Sequence, residues 1–189
     1  MIPQLSRLST LAVAGGWTFP LMGLTSLVAL LKETIRFRLV LKLKELYYNI
    51  PIPQILQMHA HWGKKDGGGS EHTIDGKQYD AELHIVHYND KYGDPSQAVD
   101  KPDGLAVLGM FLKAGSSHGE LEKICKNLAS VPTKDKSVVK DEDFLDPTKF
   151  LPGNKTFFTY PGSLTTPPLF ESVTWIVFKL VSTLVYNHK

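Results

Sequence analysis

The sequence predicts a mostly β domain of the α+β class: a large, twisted, mainly antiparallel sheet with one or two peripheral helices. Three observations predict it. Residues 54–63 (QILQMHAHWG) and 81–89 (AELHIVHYN) read as strands joined across a glycine-rich turn, KKDGGGSEH. Residues 104–115 (GLAVLGMFLKAG) form a nearly all-apolar run between glycines, the pattern of a buried central strand. Helical spacing is clear only near residues 119–129, where Leu121, Ile124, Cys125 and Leu128 fall on one face.

The chain has 189 residues, with 42% hydrophobic and 21% charged, the size and composition of one globular domain. The formal net charge of +2 is unevenly spread. Residues 1–53 hold six Lys/Arg and two Asp/Glu, and residues 54–189 hold fifteen and seventeen. The main body is therefore nearly neutral, which excludes a basic stripe for nucleic acid, and no nucleic-acid motif is present.

Residues 1–53 read as an atypical N-terminal segment, apolar and then basic. Residues 8–31 carry no charge and are long enough to span a bilayer, yet they contain Gly15, Gly16, Pro20 and Gly23. No small-x-small cleavage site closes the stretch as a signal peptide would. Three readings stand: a membrane anchor, a buried apolar segment, or sequence foreign to the domain that follows. As an anchor, the Lys/Arg excess on its C-terminal side would hold the main body in the cytosol.

The elements after residue 53 follow in order. In the first strand, His59 and His61 share one face because side chains alternate. In the second, Glu82, His84, Val86 and Tyr88 share a face, and Leu83, Ile85 and His87 point the other way. After the central strand and the helix, PTKDKSVVKDEDF is polar and reads as a surface loop. FFTY and SVTWIVFKLV are β-prone, separated by the proline-rich PGSLTTPPLFE. Cys125 is the only cysteine, so no internal disulfide can form, which favours a reducing compartment. Its expected role is that of a small buried apolar residue.

Two histidines on one face of a strand are half of a metal site, or an accident of composition. A catalytic zinc commonly takes three protein ligands and keeps one open position. His84, 23 residues beyond His61, is the best third ligand, since the intervening turn can bring its strand alongside. Glu82 shares its face and could accept the other ring N–H of a ligating histidine, fixing tautomer and orientation. Gln57 stands in the same relation to His59. His72 and His87 are expected to be hydrogen-bonded structural histidines. His118 and His188 lie in loop and tail. A structural zinc would need a fourth protein ligand, and Cys125 on its helix is a poor candidate.

Four stretches, HAHWG, GSEHTIDGKQYDAELHIVHYN, KPDGLAVLGMFLKAG and YPGSLTTPPLFESVTWIVF, occur in this order. Together they resemble the α-class carbonic anhydrases from about Gln54 to Lys179. The resemblance implies a large twisted sheet with Zn2+ at the bottom of a conical cleft. It implies reversible hydration of carbon dioxide to bicarbonate by zinc-bound hydroxide, and inhibition by aromatic sulfonamides. Carried to matching positions, it makes His59, His61 and His84 the zinc ligands, with Gln57 and Glu82 orienting them. Thr165 would accept a hydrogen bond from the hydroxide and donate to Glu71. Val86, Val107, Leu164, Val173 and Trp175 would form the apolar wall for carbon dioxide, and Thr166 would line the cleft.

Two departures qualify what the resemblance implies. Residues 1–53 do not look like the family's N-terminal third, which supplies its proton-shuttling histidine, so proton transfer is expected to be slow and buffer-dependent. The chain also stops soon after WIVFKL, so residues 54–189 read as a partial domain with an incomplete sheet. A truncated, non-catalytic relative that binds zinc or acts as a binding module is therefore the alternative to an enzyme. Leu169 stands where extracellular members typically carry a cysteine, which favours the cytoplasmic branch. Asn154 opens an NKT sequon.

Overall fold

The computed structural model describes residues 54–63, 67–128 and 145–184. The apolar stretch 8–31, the rest of residues 1–53, the polar stretch 132–144 and His188 lie outside the described residues. No helix among the described residues is long and apolar enough to cross a membrane.

Six strands form one sheet: β1 (Gln54–Trp62), β2 (Ala81–Tyr88), β3 (Leu105–Ala114), β4 (Phe157–Gly162), β5 (Val173–Phe178) and β6 (Ser182–Leu184). Their order is β1-β2-β3-β5-β4, with β6 beside the end of β3. The β1–β2, β2–β3 and β4–β5 pairs are antiparallel, and β3 pairs in parallel with both β5 and β6. The expected mostly β architecture is thus present, with a parallel seam at its centre. The helices are peripheral: α1 (Pro95–Ala98) and α2 (Gly119–Leu128).

The three strands read most clearly in the sequence are present almost to the residue. The continuous strand expected over residues 172–181 is instead broken. It stops at Phe178, and the chain resumes as β6 after three residues. Lys179 and Leu180 are exposed at the break, and the Lys179 ammonium lies 4.3 Å from the centre of the exposed Phe158 ring. Asn154 is exposed, and its side-chain carbonyl accepts from the backbone N–H of Thr156.

Alternation along the strands sorts apolar side chains onto two faces. One face gathers Leu83, Ile85, Leu108, Met110, Leu112, Ile176 and Phe178, covered by Leu121 and Ile124 of α2 and by Leu145 and Phe150. The other face gathers Val86, Leu105, Val107, Phe111, Val173, Trp175 and Val177. Both faces of β3 and β5 are therefore buried, which explains why these two strands read as unbroken apolar runs. Cys125 is half-buried rather than a core residue, and desolvation pushes its thiol upward.

His87 belongs to the middle of the sheet and is fully buried. The expectation of a well hydrogen-bonded histidine fails here, because both ring nitrogens lack a well-formed hydrogen bond among the described residues. Burial lowers its pKa from 6.5 to about 4, and the nearby backbone of Ala106 and Ile85 offsets only part of that. The unfolded chain then binds the extra proton between these two values, so stability falls as pH drops from 6.5 towards 4 and is fully present above 6.5. The interval corresponds to about 3 kcal/mol. In acid titrations of the unfolding free energy, His87→Leu should show a shallower loss over this window than the parent chain. Parallel curves for the two would refute the assignment.

Candidate metal centre

Antiparallel register brings the three candidate ligands together. His59 is paired directly with His84 across β1 and β2, and His61 with Glu82. The alternation that puts His59 and His61 on one face of β1 puts Glu82 and His84 on the same face of β2. The ring centroids form a nearly equilateral triangle: 5.0 Å from His59 to His61, 5.1 Å from His59 to His84, and 4.8 Å from His61 to His84. One ring nitrogen from each lies within 4.8 Å of the other two.

Protonation is set by the surroundings. Glu82 is fully buried and four donors converge on it. Its Oε1 accepts from His84 Nε2 at 2.7 Å and from His72 Nδ1 at 2.5 Å. Its Oε2 accepts from the backbone N–H of His72 at 2.8 Å and of Glu71 at 3.0 Å. Burial alone would raise its carboxyl, but His84 and His72 hold it well below the usual carboxylate range. An ionised Glu82 keeps a proton on His84 Nε2, which leaves the lone pair on Nδ1. That Nδ1 faces His59 Nε2 at 3.3 Å.

Burial, with His84 nearby, lowers His59 to about 2. The same two causes lower His61 to about 4. Both rings are neutral at physiological pH and can offer lone pairs. His61 Nε2 is buried and has no hydrogen-bond partner among the described residues, a costly state for a polar atom unless something else binds it. A tetrahedral ion with bonds of 2.0–2.1 Å holds its ligand nitrogens about 3.3 Å apart, so the His59–His84 spacing already matches. Three clustered imidazoles, one with an orphaned nitrogen, fit zinc.

The rest of the site lies on the same side of the sheet. Glu71 Oε2 sits 3.4 Å from His61 Nε2 and 4.0 Å from His84 Nδ1. Burial raises the Glu71 carboxyl, and the nearby His84 and Thr165 side chains work against that rise. Thr165 belongs to the loop between β4 and β5, which is closed by hydrogen bonds from Leu164 N to the Phe170 carbonyl and from Leu169 N to the Thr166 carbonyl. Thr166 is exposed. Val86, Val107, Val173 and Trp175 are buried together, with Leu164 packed against them. The Trp175 ring lies 4.9 Å from that of His84, and its N–H donates to the Ser163 carbonyl.

One expected contact is missing. His59 Nδ1 is buried without a hydrogen-bond partner among the described residues, so Gln57 does not orient His59 in this structure. Gln57 and His59 do share a face, since residues 57–62 pair with β2 in unbroken register after a shift between Ile55 and Gln57. His72 fulfils its expected structural role and does more, because its Nε2 meets the Tyr160 hydroxyl at 2.5 Å. Tyr160 was not singled out from sequence. Burial, with the charges of Glu82 and Glu71, raises its phenol, so it stays a donor to His72.

A sequence profile of the eukaryotic-type carbonic anhydrases matches residues 36–187. The chain belongs to the carbonic anhydrase family. It is 46% identical over 127 residues to Carbonic anhydrase 1 of Monodelphis domestica, an alignment covering 67% of this chain and 48% of that protein. The chain thus spans about half the length of the curated carbonic anhydrase it matches. The profile begins before β1, so residues 36–53 also carry carbonic anhydrase sequence.

Proposed function

We propose that this chain is a zinc-dependent carbonic anhydrase that hydrates carbon dioxide reversibly to bicarbonate and a proton, and that it acts in the cytoplasm. The observation that carries this reading is the pair of contacts that His84 makes. Its Nε2 is committed to a buried carboxylate, and its Nδ1 is aimed at two neutral imidazoles. His59 Nε2, His61 Nε2 and His84 Nδ1 would hold the zinc, leaving the fourth position to solvent. When bound, zinc supplies a nucleophilic hydroxide near neutral pH, as carbonic anhydrase zinc generally does.

The protein's own groups do the orienting. On this reading the Thr165 hydroxyl donates its only proton to Glu71, so its oxygen would only accept from whatever occupies the open position. Val86, Val107, Leu164, Val173 and Trp175 exclude water from one side and suit a substrate with neither charge nor donor. Thr166 lines the mouth. The second reading is a zinc-binding relative without turnover.

One experiment separates the two. Zinc in the purified full chain is measured by mass spectrometry, and carbon dioxide hydration is followed with and without an aromatic sulfonamide. Stoichiometric zinc with sulfonamide-sensitive hydration is the expected result. Zinc without hydration would establish the second reading, and a chain indifferent to chelators would refute both.

A further inference from the structure

We propose that Gly109 is a positioning residue for the metal centre: its missing side chain leaves the space in which Glu82 holds His84. The inference rests on the reading of His59, His61 and His84 as a zinc centre. Gly109 lies in the middle of β3, opposite His84 in the register. A glycine inside a buried strand weakens it, and often marks a place where another group comes close. The Gly109 backbone does not have the positive φ that would call for glycine, as Gly67, Gly76 and Gly93 do. Space is what demands it.

A Cβ at residue 109 would sit 3.1 Å from Glu82 Oε1, 3.4 Å from Val177 Cγ2 and 3.8 Å from Val177 Cγ1. The tightest of these contacts is with the one oxygen that accepts from both His84 and His72. A free surface carboxylate would swing aside. Glu82 cannot, because its other oxygen is held by two backbone N–H groups. A methyl group at residue 109 would therefore push Oε1 away from its place, stretch the 2.7 Å bond to His84 Nε2, and loosen the orientation of a zinc ligand without touching the metal.

The test uses the full chain. Zinc affinity is measured by competition with a chelator, alongside the melting temperature of the metal-free protein. Gly109→Ala should bind zinc about 3- to 10-fold more weakly, less than the 10- to 100-fold expected when Glu82→Ala removes the orienting carboxylate. Adding Gly109→Ala to Glu82→Ala should change zinc affinity by less than about twofold, because the group it displaces is gone. A merely structural role would instead add the same loss in both backgrounds, and that result overturns the proposal. Gly119→Ala, where an added Cβ meets nothing within 4 Å, should bind zinc like the parent. Unchanged affinity in Gly109→Ala would also overturn the proposal while leaving the zinc centre intact. A parent chain that holds no zinc would instead bring down the centre itself and this role with it. If Gly109→Ala does not fold, Val177→Ala is added to remove the second contact. Recovery of the fold with weakened zinc binding supports the proposal, and failure there as well overturns it.

Discussion

His84→Ala is expected to leave a folded chain that no longer retains zinc through dialysis, with affinity lowered on the order of 100- to 1,000-fold. A structural zinc with four protein ligands is bound by roughly 10–16 kcal/mol, so one ligand accounts for about 2.5–4 kcal/mol. His84 should fall at the upper end, because it is the ligand whose tautomer is fixed. His59 and His61 both come from β1, and in the proposed centre His84 alone would reach the ion from β2. Its loss leaves two nitrogens, both on one strand, to hold the ion. It also removes one of the two donors on Glu82 Oε1, leaving His72 Nδ1 on a fully buried oxygen. The measurement is metal content after dialysis, with melting of the metal-free protein as the check on folding. Full zinc content in a folded His84→Ala chain would refute the ligand assignment.

The strands that build this centre were legible because alternation and periodicity are local properties. The two-residue spacing of His59 and His61, and of Glu82 and His84, fixes which face each occupies before any tertiary contact forms. The glycine-rich turn then makes an antiparallel pair the natural connection, and the register follows. The same alternation put Val86 on the site side, while Val107, Val173 and Trp175 were expected there from the family resemblance, and the four are buried together. The short α1 and the single-turn 3-10 segments were not legible, because elements of three or four residues carry too little periodicity to stand out.

What the sequence concealed lies in contacts between distant segments. Tyr160 looked like an ordinary strand tyrosine. Its hydroxyl matters only because β4 lies beside β5, which brings it to His72 across 88 residues of chain. Gly109 looked like a mild flaw in an apolar strand, and only the position of Glu82 Oε1 gives it a purpose. The Gln57 expectation failed for the converse reason. Spacing put Gln57 and His59 on one face, and the unbroken register from Gln57 to Trp62 keeps them there, but a shared face does not fix a side-chain hydrogen bond. His87 shows the limit of residue type as a guide. A polar ring on the apolar side of β2 was expected to find partners, and it is buried without a well-formed hydrogen bond.

Thr165→Ala is expected to keep zinc at the parent stoichiometry and to lose about 100- to 1,000-fold in carbon dioxide hydration. Thr165 is no metal ligand, so the three imidazoles and Glu82 are untouched by the change. What goes is direction. Glu71 is tied to the site by its own backbone N–H, which donates to Glu82 Oε2 at 3.0 Å, and on the proposed reading its carboxylate accepts a hydrogen bond from the Thr165 hydroxyl. That commitment turns the Thr165 oxygen into an obligatory acceptor beside the open position, so a group bound there has one favoured orientation towards the apolar wall. An alanine offers no acceptor, and the group is free to rotate. Thr165→Ser keeps the hydroxyl and should recover most of the activity, whereas a packing role for the threonine methyl would leave serine as impaired as alanine. Unchanged hydration in Thr165→Ala would remove Thr165 from the mechanism. Joint loss of zinc and activity would instead show that it acts through the fold of the β4–β5 loop.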